Sequence, residues 1–169
     1  MEHYILIVAA GKGQRIGGEP KQFTELSGLP VLMHTLVPDE VLVAIHDGVR
    51  PLVSVDTIQR TFNMAQRKGS AIPAVPVNES VRETDGSLNK PVDRRKLRII
   101  QTPQVFYSSL IKKAYHQNYR DSFTDDASVL ESTGQPIYLV EGNPENIKIT
   151  TPADLIMTEA LLKKNKPDV

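Results

Sequence analysis

The sequence predicts a three-layer α/β/α fold of Rossmann-like type, with a mostly parallel sheet and a protruding β-hairpin arm. Three observations lead there. Residues 4–9, 41–46 and 70–77 are short apolar runs with the β-branched content of strands buried on both faces. Segments of helical periodicity alternate with them, the pattern of a sheet covered by helices. A polar segment over residues 78–98, with a turn signal at Asp85-Gly86, interrupts the alternation and reads as a hairpin rather than a core element. Residues 1–169 are read as a single domain.

The first strand, residues 4–9, runs into Ala10-Gly11-Lys12-Gly13-Gln14-Arg15. A helix over residues 31–36 follows the Ser27-Gly28-Leu29-Pro30 turn. Residues 41–46 form the second strand, which ends at His46-Asp47-Gly48-Val49-Arg50-Pro51. Over Val55–Lys68 the spacing of Ile58, Phe62 and Ala65 predicts a helix, and Gly69 stands where a C-terminal stop belongs. Residues 70–77 form the third strand. Helices are predicted over residues 108–118 and 125–133, the latter stopped by Gly134, and short strands over 136–141 and 146–149. Thr151-Pro152-Ala153-Asp154 opens the last helix: threonine as cap, proline at the first helical position, aspartate complementing the dipole.

Bulk composition narrows the function classes. Lys+Arg and Asp+Glu both number 20, so the chain lacks the basic excess of a nucleic-acid binder. It has no cysteine, which removes disulfides and thiolate metal sites. No apolar run approaches the roughly 20 residues that span a bilayer, and the first strand starts too near Met1 to leave room for a secretory leader. The expectation is a soluble cytoplasmic protein with no membrane partner.

The loop after the first strand carries the strongest chemical signal. Glycines let the main chain approach phosphates, and Arg15 with Lys21 of Pro20-Lys21-Gln22 adds two cations. The dinucleotide fingerprint fails because position 16 is Ile16, and the Walker pattern fails because no Gly-Lys-Ser/Thr follows. A plain glycine turn is the alternative reading. Asp47 lies at the strand edge where open α/β sheets bind ligands, and a carboxylate facing triphosphate oxygens usually holds Mg²⁺. The other possibility is an Asp-Gly turn. Arg50, three residues on, suits a second phosphate. His46 fits a packed strand-end histidine better than a ligand. Lys148, between Ile147 and Ile149, is either an anion ligand or a solvated edge lysine. Arg82, Arg94 and Arg95 fit a solvated face, and Thr124-Asp125-Asp126 fits a helix cap.

Several blocks together resemble the 2-C-methyl-D-erythritol 4-phosphate cytidylyltransferase family. They are Ala9-Ala10-Gly11-Lys12-Gly13-Gln14-Arg15, Pro20-Lys21-Gln22, His46-Asp47-Gly48-Val49-Arg50-Pro51, Val92-Asp93-Arg94, Gln101-Thr102-Pro103-Gln104-Val105-Phe106, Thr124-Asp125-Asp126-Ala127 and Asn146-Ile147-Lys148-Ile149-Thr150. The resemblance implies transfer of a cytidylyl group from CTP to a polyol phosphate with release of pyrophosphate, Mg²⁺ as cofactor, and a homodimer with exchanged arms. It implies that Ala9, Ala10, Gly11, Gly13, Arg15 and Lys21 bind CTP, that Arg15, Lys21 and Lys148 are catalytic, and that Asp47 contacts the metal and a substrate hydroxyl. Arg50, Ser80, Thr102 and Lys148 would hold the polyol phosphate, with Arg94 reaching the site of a second subunit.

One departure stands out. Between residues 36 and 37 the family carries a long further segment with a helix, a central strand and the base-reading residues, and this chain has none of it. The expectation is that a segment is missing there. Ribitol-5-phosphate cytidylyltransferase shares the glycine loop and the His-Asp and Asn-Ile-Lys blocks, so it is the nearest rival. A non-catalytic nucleotide-binding module is the rival from another class.

Overall fold

A computed structural model describes Pro38, residues 40–164 and, as backbone, the strands β1 (Ile5–Ala9), β2 (Glu25–Leu26) and β3 (Leu29–Pro30). The helix expected over 31–36 lies outside the described residues, as do Ala10, Gly11, Gly13, Arg15 and Lys21. The remaining elements, in chain order, are β4 (Leu42–Asp47), α1 (Val55–Lys68), β5 (Ser70–Pro76), β6 (Val81–Asp85), β7 (Leu88–Val92), a 3₁₀ turn (Arg94–Lys96), β8 (Arg98–Ile100), β9 (Gln104–Tyr107), α2 (Ser108–Tyr115), α3 (Asp126–Glu131), β10 (Leu139–Glu141) and α4 (Pro152–Lys164).

The main sheet runs β1-β4-β9-β5-β10, with β8 also on β5. It is mixed, where the sequence suggests a mostly parallel one. β1 pairs β4 in parallel and β10 pairs β5 in parallel, but β9 is antiparallel to both β4 and β5, and β8 is antiparallel to β5. The cause is a return without a crossover helix. β5 leaves the sheet into the hairpin, and the chain comes back along it: β8 opposite Ala74–Pro76, then β9 opposite Ser70 and Ala71. A parallel strand would need a crossover of a dozen residues or more. The sequence does not announce β9, since Gln101, Pro103 and Gln104 break an apolar run.

Alternation along the strands makes two cores. Leu42, Ala44, Ala71 and Val105 face α1 and its Ala65. Val43, Ile45, Ile72 and Phe106 face the other way, onto Ile111, Ala114 and Tyr115 of α2 and Ala127, Val129 and Leu130 of α3. Helices therefore cover both faces, as expected. α1 keeps its predicted bounds because both ends are chemically specified. Ser54 caps it by accepting from Thr57 N–H at 3.1 Å, and Gly69 closes it at φ +94°, in the left-handed region, donating to Ala65 O at 2.7 Å.

Other elements are shorter than their sequence patterns. α2 ends at Tyr115 and α3 at Glu131, while only Leu139–Glu141 of the expected 136–141 strand joins the sheet. Residues 146–149 are not a strand: the Asn146 side chain and carbonyl are bound to loop partners instead of a ladder. Gly142 makes that loop possible. A Cβ there would stand 2.3 Å from Gln101 Oε1, and Gln101 braces the loop through its Nε2, which donates to Asn143 O at 2.9 Å and Asn146 O at 3.3 Å.

Two elements stand out from the body. β6 and β7 form a separate two-stranded sheet, turning at Gly86 with φ +57°, and Leu88 is 74% exposed. α4 begins in a cap in which Asp154 accepts from Thr150 and Thr151 N–H, while the Thr151 hydroxyl accepts from Asp154 N–H. Only Thr158 of α4 is buried, and Leu155, Ile156, Met157 and Leu162 lie open to solvent.

α3 rests on a buried acid. Asp126 accepts from the Tyr115 hydroxyl, and burial pushes its pKa up to about 6, with the charges of Asp125 and Asp47 acting in the same direction and the Tyr115 hydrogen bond against it. Burial, followed by the Asp126 charge, raises Tyr115. A raised carboxyl favours the native state most below its ordinary value of 3.8, and that advantage is lost as pH rises through about 6. Asp126→Asn removes this dependence. Relative to wild type, the variant's urea unfolding free energy should rise by up to about 3 kcal/mol between about pH 4 and pH 7. A difference that does not change with pH would contradict it.

Candidate active site

The C-terminal ends of β1 and β4 meet at a charged cluster. Ala9, the last residue of β1, lies opposite Asp47 in the parallel register. Asp47 is the last residue of β4, and a tight turn follows in which Arg50 N–H donates to Asp47 O at 3.0 Å. The turn brings the Arg50 guanidinium back over the carboxylate, with Nε donating to Oδ2 at 2.9 Å. The next link comes from far along the chain. The loop after β10 carries Lys148, whose ammonium lies 3.3 Å from both Asp47 oxygens. Ile149 N–H donates to Val49 O at 2.9 Å and holds that loop against the turn.

The two cations differ in exposure. The Arg50 side chain is 11% exposed and spends a further donor on Asn146 O at 2.9 Å, so it is built into the protein. The Lys148 side chain is 46% exposed, with only Asp47 as its ion-pair partner among the described residues. Lysine is a point charge on a flexible stem, so it is the cation able to turn from Asp47 to an arriving anion.

Thr102 sits at the centre of the joint. Its Oγ1 accepts from Asp47 N–H at 3.0 Å and lies 2.8 Å from His46 Nδ1, while its carbonyl accepts from Asn146 Nδ2 at 2.8 Å. His46 Nε2 lies 3.1 Å from Arg50 O. Burial, the largest influence, lowers the His46 pKa. Behind this joint Gln104, 1% exposed, donates to Asp125 Oδ2 and accepts from Ala127 N–H, both at 2.8 Å. It pins the Thr124-Asp125-Asp126 cap, where Asp125 and Ser128 form a reciprocal capping box.

The structure thus gathers Asp47, Arg50, Thr102 and Lys148 from the residues singled out in the sequence. It does not bring Ser80 or Arg94 to them. Both are exposed at the base of the hairpin, and Arg94 donates to Asn78 O. Lys148 reaches Asp47 from an irregular loop rather than from the expected strand. Sequence reasoning missed Asn146 and Gln101, which are fully buried braces with no charge to mark them, and treated His46 as packing alone.

For a metal, the candidate carboxylate is Asp47, whose side chain is 21% exposed, whereas Asp126 is buried. Among the described residues no three His, Asp or Glu side chains converge. The donors therefore do not form an all-protein cage, but they fit a Mg²⁺ ion that takes one carboxylate and completes its shell with phosphate oxygens and water. No described helix is long and apolar enough to cross a membrane.

Comparison with known proteins fits this geometry. The sequence profile of the 2-C-methyl-D-erythritol 4-phosphate cytidylyltransferases matches residues 37–164. A protein of that name from Porphyromonas gingivalis is 41% identical over 219 positions, covering 95% of this chain and 98% of the relative, and one from Phocaeicola vulgatus is 37% identical over 219 positions, covering 96% and 100%. An alignment of 219 positions is 50 longer than this chain of 169, so the relatives carry at least that many residues without a counterpart here. The crystal structure of the Thermus thermophilus enzyme superposes with a TM-score of 0.68 at 34% identity, over 78% of this chain and 66% of that one. By sequence and by fold, the chain belongs to the 2-C-methyl-D-erythritol 4-phosphate cytidylyltransferase family.

Proposed function

We propose that the protein transfers a cytidylyl group from CTP to 2-C-methyl-D-erythritol 4-phosphate, in the cytoplasm, as a step of isoprenoid precursor synthesis. The observation that carries this reading is the Asp47–Arg50–Lys148 cluster at the ends of β1 and β4, β1 being the strand that leads in sequence into Gly11-Lys12-Gly13.

In this reaction an oxygen of the substrate's phosphate attacks the α-phosphorus of CTP. The bond from that phosphorus to the bridging oxygen breaks, and pyrophosphate leaves. No proton need move, since the attacking phosphate is already anionic. Positioning and charge neutralisation therefore carry the catalysis. Arg15 and Lys21 stabilise the triphosphate while the backbone at Ala9, Ala10, Gly11 and Gly13 cradles it. Asp47 holds Lys148 in waiting, and Lys148 turns to the incoming phosphate. Arg50, fixed by Asp47 and Asn146, keeps the carboxylate in place and adds positive potential. Mg²⁺, held by Asp47 and phosphate oxygens, would supply further charge neutralisation. Lys21→Ala should lower turnover at least roughly 10²-fold while weakening CTP binding less, as for a group acting in the transition state. Equal losses, or faster formation of CDP-ribitol than of the methylerythritol product, would contradict the assignment.

The working unit is a homodimer with exchanged arms. An isolated two-stranded hairpin is marginal in water, and β6–β7 has no sheet neighbour among the described residues, with Leu88 bare at its tip. Ser80 and Arg94 flank this arm and touch nothing of the Asp47 cluster in their own subunit, so they serve a partner's site. Arg94→Ala and Arg50→Ala should each impair substrate binding as homodimers, and mixing the two should restore part of the activity. Mixed dimers with no recovery would rule out the exchange.

The natural polypeptide carries a further segment between Leu36 and Val37. Support comes from the 50 or more unmatched positions in the relatives, from a family profile whose match begins at residue 37, from β1 having a strand neighbour only on its β4 side among the described residues, and from the bare apolar side chains of α4. Intact mass spectrometry of the protein made from its natural gene should read well above 18.8 kDa. A mass equal to that value would defeat the idea.

A further inference from the structure

We propose that Asp154, in the first turn of α4, is a positioning residue for Lys148: it holds the backbone two residues beyond the lysine and so fixes the point from which the ammonium reaches an incoming phosphate. The inference rests on the role of Lys148 in the cytidylyltransferase reading and deepens it.

The bonds around Asp154 go further than a helix cap requires. In an ordinary capping box, a side chain three residues after the cap accepts from the cap's N–H, and the cap side chain accepts in return. Both halves are present: Asp154 Oδ2 accepts from Thr151 N–H at 2.7 Å, and Thr151 Oγ1 accepts from Asp154 N–H at 3.3 Å. The same Oδ2 also accepts from Thr150, from its N–H at 2.9 Å and from its hydroxyl at 3.0 Å. Thr150 precedes the cap and is no part of α4, which begins at Pro152. Three donors thus converge on one oxygen. The hydrogen bonds from Thr150 and Thr151 lower the Asp154 pKa to about 2, so it accepts as a carboxylate at neutral pH.

These bonds close a bracket around Lys148. Upstream, Asn146 is locked by Thr102, Arg50 and Gln101. One backbone bond, Ile149 N–H to Val49 O at 2.9 Å, joins the loop to the turn after β4. Downstream, Asp154 takes the next two backbone N–H groups, those of Thr150 and Thr151. A lysine carries its charge on a flexible stem, so the reach of the ammonium depends on where its backbone is held. Thr150 and Thr151 are exposed. Without the carboxylate, water can satisfy their N–H groups, so the fold loses little while the loop gains freedom. The Thr151 hydroxyl, by contrast, serves the helix and does not bond to Thr150. It separates a loss of helix stability from a loss of loop position.

The test is steady-state kinetics of the natural full-length protein with CTP and 2-C-methyl-D-erythritol 4-phosphate. The readout is KM for each substrate, which does not depend on the folded fraction. Asp154→Ala should raise KM for the polyol phosphate about threefold to thirtyfold, the range that a lost cap contact spans, and leave KM for CTP unchanged. Asp154→Glu, which keeps a carboxylate in the box, should recover most of the difference. Thr151→Ala should leave both KM values at wild type. Lys148→Ala should itself raise KM for the polyol phosphate, and adding Asp154→Ala to it should change nothing further, since residues acting through one group are not additive. The inference is overturned if Asp154→Ala shifts the two KM values alike, if Thr151→Ala matches Asp154→Ala, or if the effects of Asp154→Ala and Lys148→Ala multiply. It also falls if Lys148→Ala leaves KM unchanged, although cytidylyl transfer would then stand. Absence of cytidylyl transfer by the wild-type enzyme would instead refute the proposed function itself.

Discussion

One closed circuit of hydrogen bonds holds the functional end of this protein together. Thr102 binds His46, His46 binds the Arg50 carbonyl, the Arg50 guanidinium binds the Asn146 carbonyl, and the Asn146 amide returns to the Thr102 carbonyl. Asp47 sits on the ring, giving its N–H to Thr102 and its carboxylate to Arg50. Four stretches of chain far apart in sequence meet there: the end of β4, its following turn, the β8–β9 link and the loop after β10. Each bond is made by a group that is wholly or partly buried, where an unsatisfied donor or acceptor costs roughly 1–3 kcal/mol. The circuit is therefore held by the penalty of opening it, and it gives the site its rigidity without any regular secondary structure in the 143–149 loop.

That rigidity divides the charges by role. Asp47 is shared between a cation that cannot leave and one that can. Arg50, locked by two oxygens, sets the orientation of the carboxylate, and Lys148, half in solvent, is the cation with freedom to move. A site for two highly charged substrates needs this arrangement. Uncompensated cations would repel one another in the empty pocket, whereas a cation resting on a carboxylate can be transferred to a phosphate with little reorganisation. Behind the site Asp126 repeats the theme in a drier place, keeping its proton up to about pH 6 because burial disfavours the charge.

Much of this was legible in the sequence, though unevenly. α1 was found residue for residue because its cap, its periodicity and its terminal glycine are all local. The hairpin turn at Gly86 was legible for the same reason. Asp47, Arg50, Thr102 and Lys148 could be singled out by charge, by position at a strand edge and by resemblance to the family. β9 could not, although it lies at the centre of the sheet. Its Gln104 is a polar residue whose partners, Asp125 and Ala127, are about twenty positions away, and nothing local shows that they will be there. Residues 146–149 misled in the opposite sense: their apolar alternation imitates a strand, but Asn146 is claimed by Thr102, Arg50 and Gln101.

The sequence by itself determined the class of fold, the capped helices, the arm and the chemistry the site can offer, because these depend on periodicity, turn residues and side-chain type within short windows. Tertiary structure alone decided the antiparallel return of β9, the pairing of Lys148 with Asp47 across a hundred residues, and the meeting of Thr102 with His46. The physical reason is the same in each case. A buried polar group takes whatever partner the packed chain supplies, and that partner is specified by three-dimensional closure rather than by neighbours along the sequence.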